Sequence, residues 1–191
     1  MKSISAAVTN QLIVKNSKFI SVLYPINDLS DVSKYLDKIK KEYPKATHYC
    51  YGYIYNDVYL SSDDGEPSGT AGRPILNVLQ KEDLTNILCV VVRYFGGIKL
   101  GAGGLVRAYT KSVSSLLELA DLIELENGYK IRIEFDYNNS NDVLYLLGDS
   151  QIIDKSFTDK SIYTCLVSEE TFLKLNNYKT EILEKVLIKK S

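Results

Sequence analysis

The sequence predicts an α+β protein of two domains, residues 1–127 and 128–191. Three observations carry that expectation. A nearly all-apolar run, Ile87 to Val92, ends in a glycine-rich joint and is followed by a long amphipathic pattern, which reads as a covered strand feeding a helix. The pattern then breaks at Glu126–Asn127–Gly128. Beyond the break the order is β-α-β-β-α-β in about 60 residues, the ferredoxin-like split βαβ arrangement.

Composition narrows the function classes. With 191 residues, 45% of them hydrophobic, the chain can build a substantial core. Its 23 basic and 24 acidic residues leave a net charge of −1, and each expected domain is close to neutral. A bulk nucleic-acid binder is ordinarily more basic, so any electrostatic steering must be local. Cys50, Cys89 and Cys165 are widely spaced, with no C-x-x-C, which reads as reduced, buried thiols. Met1–Asn10 lacks a signal-peptide core, and no run approaches the ~20 apolar residues of a membrane span. The expectation is a cytoplasmic protein with no membrane partner.

Taken in order, Ala7–Val14 and Lys18–Tyr24 are strand-like runs joined through Lys15–Asn16–Ser17, a hairpin. Asn27–Lys41 reads as a helix, because Val32, Tyr35, Leu36, Ile39 and Tyr43 recur at threes and fours. Asp28 or Ser30 would cap it and Pro44 would stop it; Lys38, Lys40 and Lys41 form its solvated face. His48–Tyr55 alternates strictly, with Tyr49, Tyr51, Tyr53 and Tyr55 on one face and His48, Cys50, Gly52 and Ile54 on the other. Val58–Ser61 pairs back across Asn56–Asp57. A loop that starts acidic at Asp63 and ends small at Gly72 leads into a short helix, Arg73–Gln80, where Pro74 sits in the tolerant first turn. Ile87–Tyr94 is the covered strand; Leu105, Tyr109, Val113, Leu116 and Ala120 mark the apolar face of the major helix. In the second domain Tyr129–Phe135, Gln151–Phe157, Ser161–Val167 and Glu184–Ile188 read as strands, and Ser140–Gly148 and Glu169–Asn177 as helices.

The chemistry concentrates at the joint from Arg93 to Tyr109. Five glycines fall between Gly96 and Gly104, and no acidic residue occurs between Asp83 and Glu118. Amides near Gly101–Gly104 and the helix dipole would receive a phosphate, with Lys99 and Arg107 adding charge. The joint is neither a Walker A loop nor a Rossmann fingerprint. The alternative is that the glycines only permit a tight turn and close packing. Asp63, Asp64 and Glu66 lack the ligand alternation of a calcium loop, and an ion pair with Arg73 or Arg93 that fixes the loop beside the joint is the better reading. His48 and Cys50 share a strand face at a spacing of ~7 Å, too far for a nucleophile–base pair. The tyrosine row can stack bases or cover a helix, and core packing is favoured.

His48, the run Ser62–Pro74, the run Val90–Gly101 and the run Gly103–Tyr109 together resemble the signature of the IMPACT family, in its bacterial YigZ branch. The second domain resembles that branch's ferredoxin-like C-terminal domain by pattern. The resemblance implies a first domain like the second domain of ribosomal protein S5, an α/β sandwich, and a second domain like a terminal domain of the translocation factors. Eukaryotic relatives restrain a kinase that halts translation initiation during amino-acid starvation. They carry a different partner domain, so that role does not transfer wholesale. Some relatives have been labelled peptidases, for which this chain lacks the metal-ligand set.

The resulting expectation is a non-catalytic protein acting in translation or its regulation, binding RNA, a ribosomal component or a protein partner. Its binding groove would lie where the loop Asp63–Gly72 meets the joint. Arg93, Lys99 and Arg107 would contact phosphate, and Gly96, Gly97, Gly101, Gly103 and Gly104 would shape the joint. Asp63, Asp64 and Glu66 would order the loop or pair with those cations, with His48, Thr70 and Arg73 alongside. No catalytic residue, cofactor or metal is expected. The rival is a small-molecule enzyme, with Leu100–Gly104 holding a triphosphate and Asp63 or Asp64 holding magnesium. A third reading is a pure interaction module.

Overall fold

The computed structural model describes Met1–Lys190. Two compact units divide it, Met1–Ile123 and the remainder from Glu124. In the first unit the strands are β1 (Lys2–Ile4), β2 (Val8–Val14), β3 (Ser17–Pro25), β4 (His48–Tyr55), β5 (Val58–Ser62) and β6 (Ile87–Tyr94). The helices are α1 (Ser30–Glu42), α2 (Gly72–Lys81) and α3 (Ala102–Leu117). Strands β2 to β6 form one antiparallel sheet in the order β2-β3-β6-β4-β5. The apolar run is therefore the middle strand, which is why both of its faces are hydrophobic. Lys15 and Asn16 take positive φ, 45° and 64°, in the two-residue turn that closes the β2–β3 hairpin.

The alternation of β6 sorts the core. Cys89 and Val91 face Phe19, Leu23 and Cys50 together with Ile75 and Leu79 of α2 and Tyr109 and Val113 of α3. Leu88, Val90 and Val92 face the opposite way, onto Val32 and Ile39 of α1. Each such fully buried aliphatic side chain contributes roughly 1.5–3 kcal/mol. Tyr49, Tyr51, Tyr53 and Tyr55 pack against the α1 cluster, so the tyrosine row is part of the core. Asp28 accepts the Ser30 amide at 2.7 Å, at the start of α1. All three cysteines are free and buried.

The second unit contains β7 (Leu122–Phe135), whose first two residues belong to the first unit, followed by α4 (Ser140–Leu147), β8 (Gln151–Phe157), β9 (Ser161–Ser168), α5 (Glu169–Lys174) and β10 (Lys179–Lys189). The four strands of this unit run β10-β7-β9-β8, each neighbouring pair antiparallel, which is the ferredoxin-like topology. Ile131, Ile133, Tyr163, Cys165 and Val167 pack against Val143 and Leu147 of α4. Two expectations are corrected here. Glu126–Asn127–Gly128 does not interrupt the chain but lies inside β7, where Gly128 pairs with Ser168 on one side and Val186 on the other. A Cβ at Gly128 would stand 2.5 Å from the Val167 carbonyl oxygen, so this glycine marks close strand approach. Strand β10 begins at Lys179 instead of Glu184 and carries a bulge between Ile182 and Glu184, which masks its alternation. Among the described residues no helix is long and apolar enough to cross a membrane.

Candidate functional site

The signature residues converge because β3, β6 and β4 end together. His48 and Phe19 both pair with Arg93, on either side of it. The period of two puts Arg93 on the same sheet face as Cys89 and Val91, and puts His48 beside Cys50 on that face. Tyr109 of α3 reaches the same place from above.

At the centre is a buried ion pair. Arg93 Nη1 donates to Glu66 Oε1 at 2.6 Å, with side-chain exposures of 6% and 3%. Tyr109 Oη donates to the same carboxylate oxygen at 2.8 Å, and Arg93 Nη2 donates to Ser17 Oγ at 3.3 Å. His48 Nε2 lies 3.8 Å from Glu66 Oε2, and its Nδ1 lies 2.8 Å from the Asp64 carbonyl oxygen. Cys50 Sγ donates to the Asp63 carbonyl at 2.9 Å and lies 3.2 Å from Tyr109 Oη. Burial pushes the Cys50 thiol up to about 12, against the lowering effect of its hydrogen bond with Tyr109, and the neighbouring Glu66 adds to the rise. A thiol held there stays protonated and is not a nucleophile. Burial, with Cys50 and Glu66 beside it, raises the Tyr109 hydroxyl as well, so it remains a donor.

The acidic loop is tied inward. Asp63 accepts from the amides of Gly69 (2.8 Å), Ala71 (2.9 Å) and Gly72 (2.8 Å). Partial burial opposes its ionisation, but the three amides outweigh that and hold its carboxyl below the usual range. Asp64 accepts the Tyr49 amide at 2.6 Å. Thr70 is buried and donates to the Pro67 carbonyl at 2.6 Å. The loop carboxylates are thus committed to main-chain amides and to Arg93, and among the described residues no group of three or more His, Cys, Asp or Glu could hold a metal ion.

The glycine joint is the outward half. Phe95 donates its amide to Thr47 Oγ1 at 3.0 Å and Gly96 donates to Ser17 Oγ at 3.2 Å. A Cβ at Gly96 would stand 2.0 Å from the Asn16 carbonyl carbon, so only glycine lets the joint lie on the β2–β3 turn. Gly97 has φ +84° with open space around it. Gly97, Lys99, Gly101, Gly103 and Arg107 are exposed, and Gly96 and Gly104 are half-buried. Arg73 is exposed on α2. Of the residues expected to meet phosphate together, Arg93 is placed apart: at 5% exposure its Nη1 and Nη2 are bound to Glu66 and Ser17. Acidic loop and joint meet through that ion pair, not as two charged walls. Ser17 gave no sequence signal, being one polar residue in a turn. Periodicity showed Tyr109 as part of an apolar helix face and gave no sign of its hydroxyl role, which depends on what the sheet brings beneath it.

The sequence matches the Impact N-terminal domain over residues 15–117, a span that contains every residue named above as part of the site. It is 35% identical over 185 residues to the IMPACT family member YvyE of Bacillus subtilis (strain 168), covering 94% of this chain and 85% of that protein. Identity to the IMPACT family member YigZ of Escherichia coli (strain K12) is 33% over 160 residues, covering 80% and 78%. A crystal structure of a hypothetical protein superposes with a TM-score of 0.72 at 28% identity, over 96% of this chain and 97% of that one. The chain belongs to the IMPACT family, in the branch that includes YigZ.

Proposed function

We propose that the protein works in translation or its regulation as a binding protein, and that the glycine joint takes the phosphates of RNA. The observation that carries this reading is uncompensated positive charge at the start of α3. Lys99 and Arg107 are exposed and make no ion pair among the described residues. Arg107 Nη1 lies 3.5 Å from where a Gly103 Cβ would stand, so the guanidinium is folded back over the first turn. The positive end of the helix dipole is there too, with no acidic residue in the first turn and no side-chain cap. Among the described residues the first α3 amide with a main-chain acceptor is that of Leu105, on Gly101, which leaves those of Ala102, Gly103 and Gly104 open. An anion would neutralise the cations and satisfy the amides together.

The translational setting comes from the family resemblance. The triphosphate enzyme is the weaker reading, because the carboxylates it would use for magnesium, Asp63 and Asp64, already accept main-chain amides. The test is binding of a short single-stranded RNA across a salt series. Affinity is expected to fall with log salt, and Lys99→Ala and Arg107→Ala each to flatten the slope by about 0.7, the value of one phosphate contact on a single strand. No binding at low salt would overturn the RNA reading.

A further inference from the structure

We propose that Phe95 is a stacking platform for an unpaired base, which makes the ligand of the glycine joint single-stranded RNA. The inference rests on the RNA reading above and adds a residue and a ligand class to it. The Arg93 guanidinium lies over two rings, 5.4 Å from the centroid of Phe19 and 5.6 Å from that of Phe95. Phe19 is fully buried, Arg93 is 5% exposed and Phe95 is 46% exposed. The buried guanidinium thus links a ring in the core to an exposed one.

Each of the three is held by further contacts. Phe19 meets Tyr109 edge-on, with centroids 5.3 Å apart. Arg93 is held by Glu66 and Ser17. The backbone of Phe95 is fixed by Thr47, and that of its neighbour Gly96 by Ser17 and by contact with the Asn16 carbonyl. A half-exposed aromatic side chain ordinarily gains by folding onto apolar surface; this one rests on a pinned cation. A ring ordered in advance loses little entropy when a planar ligand covers it. Lys99 stands four residues on, and Arg107 lies on the helix that the same joint enters. An aromatic face beside backbone-tracking cations is the combination that single-strand binders use, and it tolerates any sequence because every base has a π-face. A duplex hides its base faces within the helix, so Phe95 would meet them only at an end.

The chain contains no tryptophan, so Phe95→Trp installs a single fluorescent reporter at the platform. Titrate that variant with a short oligoribonucleotide, with an abasic oligonucleotide of equal length and with duplex RNA of equal phosphate count. The expected result is indole quenching by the single strand alone. Phe95→Leu should bind the single strand about ten-fold more weakly than the natural protein and the abasic strand equally well. Equal quenching by the duplex, or a Leu variant that binds the single strand as tightly as the natural protein does, would overturn the platform while leaving a salt-dependent RNA site standing. Failure of the natural protein to bind any of the three at low salt would remove the RNA reading and the platform with it.

Discussion

Glu66 accepts from Arg93 and from Tyr109 at the one place where the acidic loop enters the sheet face. Taking its carboxylate away leaves a guanidinium buried without its counter-charge. Glu66→Ala should therefore destabilise the protein by about 3–5 kcal/mol, read from urea unfolding. Adding Arg93→Met to that variant should recover part of the loss, since the orphaned charge is then gone. A double variant as unstable as the sum of the two singles would show that the pair does not act as a unit. This residue scale was partly legible in advance. The acidic loop suggested an ion pair with Arg73 or Arg93, and the structure shows it with Arg93, through Glu66. The depth of the pair was not legible, because it depends on Tyr109 and Ser17 closing over it from elements far away in sequence.

Between elements, the joint depends on two glycines for different reasons, and their substitution should separate those reasons. At Gly96 an added methyl group meets main-chain atoms of Asn16 that cannot step aside, so Gly96→Ala should cost about 3 kcal/mol, the upper end of overpacking. At Gly97 the space is open and only the left-handed backbone resists a side chain, so Gly97→Ala should cost about 1 kcal/mol. Urea midpoints of the two variants decide the matter; equal costs would contradict the contact with Asn16. The elements themselves were mostly readable. Strand β6 announced itself by an unbroken apolar run, and α3 by its three-and-four spacing. The early part of β7 and of β10 was not readable. A glycine inside a ladder looks like a break when the strand pressing on it is not known, and a bulge shifts the alternation by one residue.

For the whole molecule, near-neutral charge confines any phosphate binding to a local surface, and the glycine joint is the surface proposed for it. The sequence located that joint by composition. What the fold adds is a division of labour, with Arg93, Glu66, Asp63 and Thr70 turned inward as scaffold and Lys99, Gly103 and Arg107 left facing out. The most direct test of that division is an amide nitrogen–proton NMR titration with single-stranded RNA at low salt. The largest shifts are expected at the amides of Ala102, Gly103 and Gly104, with those of Gly69, Ala71 and Gly72 hardly moving, because Asp63 already holds them. Shifts confined to residues beyond Glu124, or none at the joint, would contradict it.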